Sequence, residues 1–366
     1  MQQRLPLFRS KLPTLEKLEP YLKEIDGNRH HSNFGPLHQR FTQQLELHVG
    51  SGDGSIALTA NGSLGLLHAL GALGVQAGGL CAMPSWTYPA TAAAACSAGL
   101  TPWFADVDPG TWALNPDTLR AALSDAPGPV SAVIAVAPFG STLDVAAWDD
   151  FTDATGVPVV IDAANGFDAL TVGRSPTMVS LHATKAFGVG EGGFVVSSDG
   201  DLIQRVSGLT NHGFTESGTA ALRGVNAKLS EYAAAVGLAA FEDWPATREA
   251  YGALQRKYLD ANAEIPGIDP APDHAVDRVT STFNVVLPGD AELAIAALGE
   301  RKIEARKWWG EGCHRQPAYA EFPRTDLPVT EFLAARVVGL PFYLDMTEAD
   351  VERVAGALVD YVAQTE

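Results

Sequence analysis

Of the 366 residues, 46% are hydrophobic and 19% charged, the balance of a chain with a large buried core and not of a disordered one. The 25 Lys+Arg against 43 Asp+Glu leave a formal charge of −18, which opposes nucleic acid or an anionic membrane over most of the surface. Small anionic ligands stay admissible where a few basic side chains converge. At roughly 100–200 residues per domain, two domains are expected.

Taken in chain order, MQQRLPLFRSKLPT has no continuous apolar segment of the kind a signal peptide needs. From about residue 55, short apolar runs alternate with amphipathic or Ala-rich stretches. Ser63–Leu73 reads as a helix, Leu80–Met83 as a strand, Tyr88–Ala98 as a helix, Pro102–Val107 as a strand and Pro116–Ser124 as a Pro-initiated helix. The stretch Ala69 to Ala105 contains no Asp, Glu, Lys or Arg, yet Gly78–Gly79, Pro84, Pro89 and Pro102 interrupt it. A membrane span needs about 20 mainly apolar residues, so this stretch reads as buried core. Val130–Ala137 and Pro158–Asp162 are uniformly apolar strands, the signature of a parallel sheet covered on both faces. Gly192–Ser197 reads as a further strand, Leu229–Phe241 and Trp244–Leu259 as two helices. Beyond about residue 260 the texture changes. Thr282–Leu287 and Val337–Leu340 read as strands, Ala291–Glu300 and Thr347–Val362 as helices. The division adopted is 1–250 for a large domain with an N-terminal arm and 251–366 for a smaller α+β domain. Three cysteines, Cys81, Cys96 and Cys313, are too few and scattered for a disulfide framework or a metal site and fit a reducing cytoplasm.

The chemistry concentrates in Val159–Gly193. An apolar strand ends on Asp162, Asn165 follows, and Lys185 comes 23 positions after Asp162, between Thr184 and GVGEGG. In an open α/β sheet, ligands sit outside the carboxyl ends of the strands, where such a carboxylate and lysine can reach one ligand. A lysine can hold an aldehyde as a Schiff base, and a carboxylate facing a pyridinium nitrogen keeps it protonated. Spacing alone does not establish this. The surrounding motifs add to it: TANGSLGLLHALGALG, MPSWTYPATAAA, TPWFADVDPGTWALNP, VIDAANG, SLHATKAFGVGEGG, TNHG, GVNAKLSEYAAAVGLAAFE and CHRQPAY. With these, nearly the whole chain resembles the DegT/DnrJ/EryC1/StrS family of pyridoxal-phosphate aminotransferases. The fold the resemblance implies is α/β, fold type I of the aspartate-aminotransferase kind: a mostly parallel sheet covered by helices plus a smaller C-terminal α+β domain.

Carried over residue by residue, the resemblance implies that Lys185 binds the pyridoxal 5′-phosphate aldehyde and shuttles the proton, and that Asp162 pairs with the pyridine nitrogen. Tyr88 stacks on the ring, a core aromatic being the competing reading, while Trp86 packs. Gly62 and Ser63 offer the phosphate the amino end of a helix, where free N–H groups and the dipole favour an anion; an ordinary N-cap is the competing reading of Ser63. Ser180 supplies a second hydroxyl to the phosphate. Asn226 reaches the phosphate from the neighbouring subunit, which implies a homodimer with shared active sites; capping of the helix that follows is the alternative. Asn165 stands where the family usually has Gln or His, and Lys228 where it has Arg. Asn33, His182, His314 and Arg315 fall where relatives line the substrate site; a capped turn or a solvated side chain is the competing reading of each, and a structural histidine in a crowded loop that of His182. The run from Glu304 to Trp308 is a locally basic place on an acidic chain, able to attract a diphosphate or to remain a solvated face.

These features lead to a cytoplasmic transaminase that moves an amino group from an amino acid, glutamate being the expected donor, to a nucleotide-linked keto sugar, with no nucleic-acid or membrane partner and no metal. A cyclic polyol ketone is the alternative acceptor. A sugar dehydratase of this family carries histidine at the lysine position, so Lys185 speaks against that reading. A non-enzymatic sensing role would leave Lys185, Asp162, Tyr88 and the phosphate hydroxyls without a common purpose.

Overall fold

Alternate residues of the apolar strands go to opposite faces, which is why the strands read as continuous hydrophobic runs. In the computed structural model, Cys81, Met83, Ile134 and Val160 join one buried cluster, while Ala82, Val133, Ala135, Val159 and Ile161 join another. The structure describes residues 3–214, 218–272, 274 and 277–365.

The chain opens with an arm, then α1 (Leu15–Asn28) and α2 (Pro36–Val49). Next come β1 (Ile56–Thr59), α3 (Gly62–Ala72), β2 (Leu80–Pro84), α4 (Pro89–Ser97), β3 (Thr101–Ala105), α5 (Pro116–Ala122), β4 (Val130–Val136), α6 (Val145–Thr155) and β5 (Val159–Asp162). Then follow β6 (Thr177–Ser180), β7 (Gly193–Val196), α7 (Gly200–Thr210) and α8 (Glu231–Asn262). These strands form one seven-stranded sheet in the order β1-β7-β6-β5-β4-β2-β3. Only β7 runs against its neighbours. The rest of the chain, β8 (Asp269–Pro270), β9 (Phe283–Val286), α9 (Ala291–Glu300), α10 (Pro328–Arg336), β10 (Val337–Leu340) and α11 (Glu348–Thr365), holds a three-stranded antiparallel sheet, β10-β9-β8.

The α/β expectation therefore holds: a mostly parallel sheet between helices with a small antiparallel sheet beside it. Two expectations need correcting. The helices read over 229–241 and 244–259 are the single α8, which continues through Pro245. An interior proline forfeits one backbone hydrogen bond, but α8 packs against α1, α2 and α11, and that burial keeps it intact. The division at 250/251 consequently falls inside a helix. The arm, grouped with the large domain, is stitched to the C-terminal region: Leu5 N–H donates to Lys302 O (2.9 Å) and Glu304 N–H to Leu5 O (3.0 Å).

Glycine sets how closely α3 approaches the sheet. A Cβ on Gly62 would stand 2.9 Å from Met178 Sδ and 3.2 Å from Ser180 Cβ; one on Gly65 would stand 2.9 Å from Met178 Cγ. One on Gly193 would meet the backbone of Asn61 and Gly62 at 3.0 and 2.9 Å. No side chain fits at any of these crossings, so the amino end of α3 lies against the carboxyl end of β6.

Candidate active site

A cavity of about 840 Å³ opens at the carboxyl ends of the strands, within the roughly 300–1,000 Å³ of small-molecule sites. Its lining includes Gly62, Ser63, Tyr88, Asp162, Asn165, Ser180, His182 and Lys185. Residues far apart in sequence thus converge because each follows a strand of one sheet.

Asn61 caps α3, its Oδ1 accepting from Leu64 N–H (3.0 Å). Ser63 is therefore not the N-cap. It sits in the first turn with its hydroxyl unbonded among the described residues, beside the first-turn N–H groups that no helix can satisfy internally. Across from it, Ser180 ends β6, and its Oγ accepts from His182 N–H at 3.3 Å. Two hydroxyls and the amino end of α3 at one end of a cavity are surroundings that favour an anion.

Asp162 is buried at the end of β5. Burial raises its pKa; a hydrogen bond from Thr91, the Ala164 N–H and the nearby charge of Lys185 pull the other way. Thr91 Oγ1 donates to Asp162 Oδ2 at 2.8 Å and Ala164 N–H to Oδ1 at 3.2 Å. Since the Thr91 proton is committed to the carboxylate, Thr87 Oγ1 donates to Thr91 Oγ1 at 2.8 Å. Lys185 Nζ has no hydrogen bond or ion pair among the described residues. Burial lowers its pKa to about 8, with Asp162 resisting the fall. An amine of that kind is deprotonated often enough near neutrality to attack a carbonyl. Asn165 Oδ1 is buried with no partner, an orphan acceptor on the cavity wall. His182 Nδ1 lies 2.8 Å from Thr184 Oγ1.

Tyr88 is 57% exposed at the amino end of α4, whereas Trp86 is buried among Trp112, Phe139 and Trp309. Phe139 adopts φ 52° with ψ 25°, rare for a bulky side chain and costing about 1–3 kcal/mol. It stacks on Trp309, with centroids 4.0 Å apart.

Four predicted residues lie off the cavity. His314 is buried, its Nδ1 2.7 Å from Ser85 Oγ, so its ring joins the end of β2 to the C-terminal region instead of facing a ligand. Arg315 is spent on Glu331 at 2.8 Å. Asn33 is exposed in a left-handed turn before α2. Asn226 is exposed and does not cap α8, a position held by Ser230. Lys228 donates to Asn211 Oδ1 at 2.8 Å. Sequence reasoning missed the hydroxyl pair Thr87 and Thr91, for which a signal existed: two threonines four apart at the start of a predicted helix share a face. It also missed Phe8, Phe139, Ser281, Thr282 and Trp309 on the wall.

Among the described residues no cluster of metal-binding side chains occurs and no helix is long and apolar enough to cross a membrane. The profile of the DegT/DnrJ/EryC1/StrS aminotransferase family matches residues 15–359. Protein Rv3402c of Mycobacterium tuberculosis is 31% identical over 97% of this chain and 89% of that protein. The dTDP-4-amino-4,6-dideoxy-D-glucose transaminase of Escherichia coli is 26% identical over 97% and 98%. Among solved structures, DesI with its TDP-sugar product is 31% identical, with a TM-score of 0.89 over 100% of this chain and 95% of that one.

Proposed function

The chain belongs to the DegT/DnrJ/EryC1/StrS aminotransferase family, and on that premise we propose that it moves an amino group from an amino acid, glutamate in our reading, to a keto sugar linked to a nucleotide. The enzyme is a pyridoxal 5′-phosphate-dependent aminotransferase. The observation that carries the substrate reading is that DesI, alike over the whole chain, holds a TDP-sugar product.

The residues present suit the cofactor: the free first turn of α3 with Ser63 and Ser180 for its phosphate, Asp162 for its pyridine nitrogen, the orphan Oδ1 of Asn165 for its ring hydroxyl, and Lys185 for its aldehyde. Pyridoxal phosphate supplies an aldehyde that takes the amino group and a ring that draws electrons. Lys185 would serve as the general base and acid, taking the proton from the donor Cα and giving it to the cofactor C4′ carbon within the same half-reaction, then running the same transfer in reverse on the acceptor. Asp162, whose carboxylate accepts from Thr91 and from the Ala164 N–H, would face the ring nitrogen and favour its protonated form. Tyr88 covers the ring and limits its motion.

Asn226 acts from the neighbouring subunit in this reading. It is exposed beside Val225, and Phe214 and Tyr232 also leave apolar surface uncovered (43–48% exposed), which a two-fold partner would cover. Mixing Asn226→Ala subunits with Lys185→Ala subunits partly restores activity if the contact is made in trans and restores none if it is not. The acceptor is tested by mass spectrometry of products from nucleotide-linked 3-keto and 4-keto sugars with L-glutamate. Amination of at least one is expected. Bleaching of the cofactor by glutamate with no sugar aminated would overturn the acceptor reading.

A further inference from the structure

The basic run at 304–308 separates once each side chain is followed to its partner. Lys307 ion-pairs with Glu311 and with Glu292 (3.4 Å), its side chain only 8% exposed. Glu304 takes Arg4 at 2.7 Å and accepts from Leu7 N–H. Arg306 does neither. Among the described residues no carboxylate stands within ion-pair distance of its guanidinium, although the chain carries 43 acidic residues, and the side chain lines the cavity.

What holds Arg306 in place is built into the fold. Its N–H donates to Gly339 O (3.1 Å) and its carbonyl accepts from Gly339 N–H (2.8 Å), tying the segment to β10. The guanidinium lies over the Trp308 ring, 5.5 Å from its centroid. Trp308 is seated on bare backbone: a Cβ on Gly339 would fall 2.1 Å from the indole Nε1. Phe8, delivered by the arm, stands 6.3 Å from Trp308 at a 46° tilt and also lines the cavity. An uncommitted guanidinium over one aromatic ring, with a second ring next to the first, offers forked hydrogen bonds to an oxyanion and flat apolar faces to a ring beside it. Nucleotides present that pair of features.

We infer that Arg306, set on Trp308 and Phe8, is the subsite that binds the phosphates of the acceptor's nucleotide. This rests on the nucleotide-linked reading of the acceptor, and the test separates the two. Titrate the holoenzyme with dTDP, UDP and inorganic pyrophosphate by calorimetry at several salt concentrations, and follow the glutamate half-reaction by cofactor absorbance. Arg306 is exposed, so Arg306→Gln leaves packing untouched. The expected result is at least about tenfold weaker dTDP or UDP binding, the scale of one lost charged hydrogen bond, with a shallower salt dependence and an intermediate Arg306→Lys. Pyrophosphate binding that needs Arg306, without any nucleotide binding, upholds the anion site and overturns the nucleotide reading. Binding of wild-type strength in Arg306→Gln overturns the subsite. A slowed glutamate half-reaction with dTDP binding intact also overturns it, because the guanidinium then serves the donor's carboxylate.

Discussion

The wall that carries Ser63, Ser180 and Lys185 is made of main chain brought close by Gly62, Gly65 and Gly193, while the wall that carries Phe8, Phe139, Trp308 and Trp309 is ring against ring. The first leaves little room for variation, since any side chain at those glycines strikes backbone or a neighbouring core residue. The second is a surface of exchangeable aromatic and basic groups. The contrast matches the division of labour in a transaminase, where cofactor chemistry is common to many enzymes and the acceptor differs. Changes to the first wall are expected to cost rate; changes to the second are expected to cost selectivity.

The largest effect belongs to Lys185. Lys185→Ala removes the group proposed to move the proton, and turnover is expected to fall by roughly 10²–10⁴-fold or more, with the absorbance of the bound cofactor shifted and the circular dichroism unchanged. Near wild-type turnover would remove the basis for assigning chemistry to this wall. Asp162→Asn comes next. It takes away the charge that favours a protonated ring nitrogen, and a rate above about a tenth of wild type, about 1.4 kcal/mol, would contradict that role. Thr91→Val is expected to lose about tenfold, the worth of one hydrogen bond to a buried charge, and Thr91→Ser to recover most of it. The readout specific to positioning is the pH dependence of the cofactor absorbance, which shifts in Thr91→Val and returns in Thr91→Ser.

The smallest effect is a titration. Lys185 has its pKa lowered to about 8 from 10.5, so uptake of pyridoxal phosphate by the apoprotein rises with pH to a midpoint near that value. Linkage gives the matching sign for stability. The unfolded chain binds more protons at this residue between about 8 and 10.5, so its contribution is least favourable below 8 and improves as pH rises through that window. A loading midpoint above 10 would place Lys185 in water.

How much of this was legible depended on the distance over which residues cooperate. Asp162 and Lys185 stand at a strand end and in a Gly-rich loop, and the motifs around them, through the resemblance they carry, single them out. Most strands of the large sheet were legible because both faces are buried, though the four-residue strands β1 and β6 escaped notice: Thr59 in the one and Thr177 and Ser180 in the other blunt the apolar signal. The bond from Thr91 to Asp162 joins residues 71 apart, and nothing local in either segment signals it. His314 and Arg315 read as ligand residues because they fall where relatives line the substrate site; only the fold shows them held by Ser85 and Glu331. For Arg306 the alternatives of diphosphate site and solvated face stayed open until its neighbours' partners were known. The break expected before Pro245 failed because local propensity yields to packing along the whole of α8.

The reversed strand β7 also bears on how the molecule comes to exist. It pairs Ile56 with Val196 on one side and Ser180 with Gly193 on the other, and β1, which leads into α3, is joined to the sheet only through it. During synthesis the first turn of α3 emerges long before its supporting strand. Until residue 196 has left the ribosome, β1 has no strand to pair with and α3 has only β5 and β6 of the sheet to lie against, and closing so large a loop comes late because its entropy is lost before its contacts form. The part of α3 that β7 and α7 cover, on a helix with no charged side chain, stays open to wrong partners for that interval. The cofactor pocket is thus among the last parts of the large domain to be assembled, and a nascent chain halted short of β7 would be a client for chaperones, unable to retain pyridoxal phosphate.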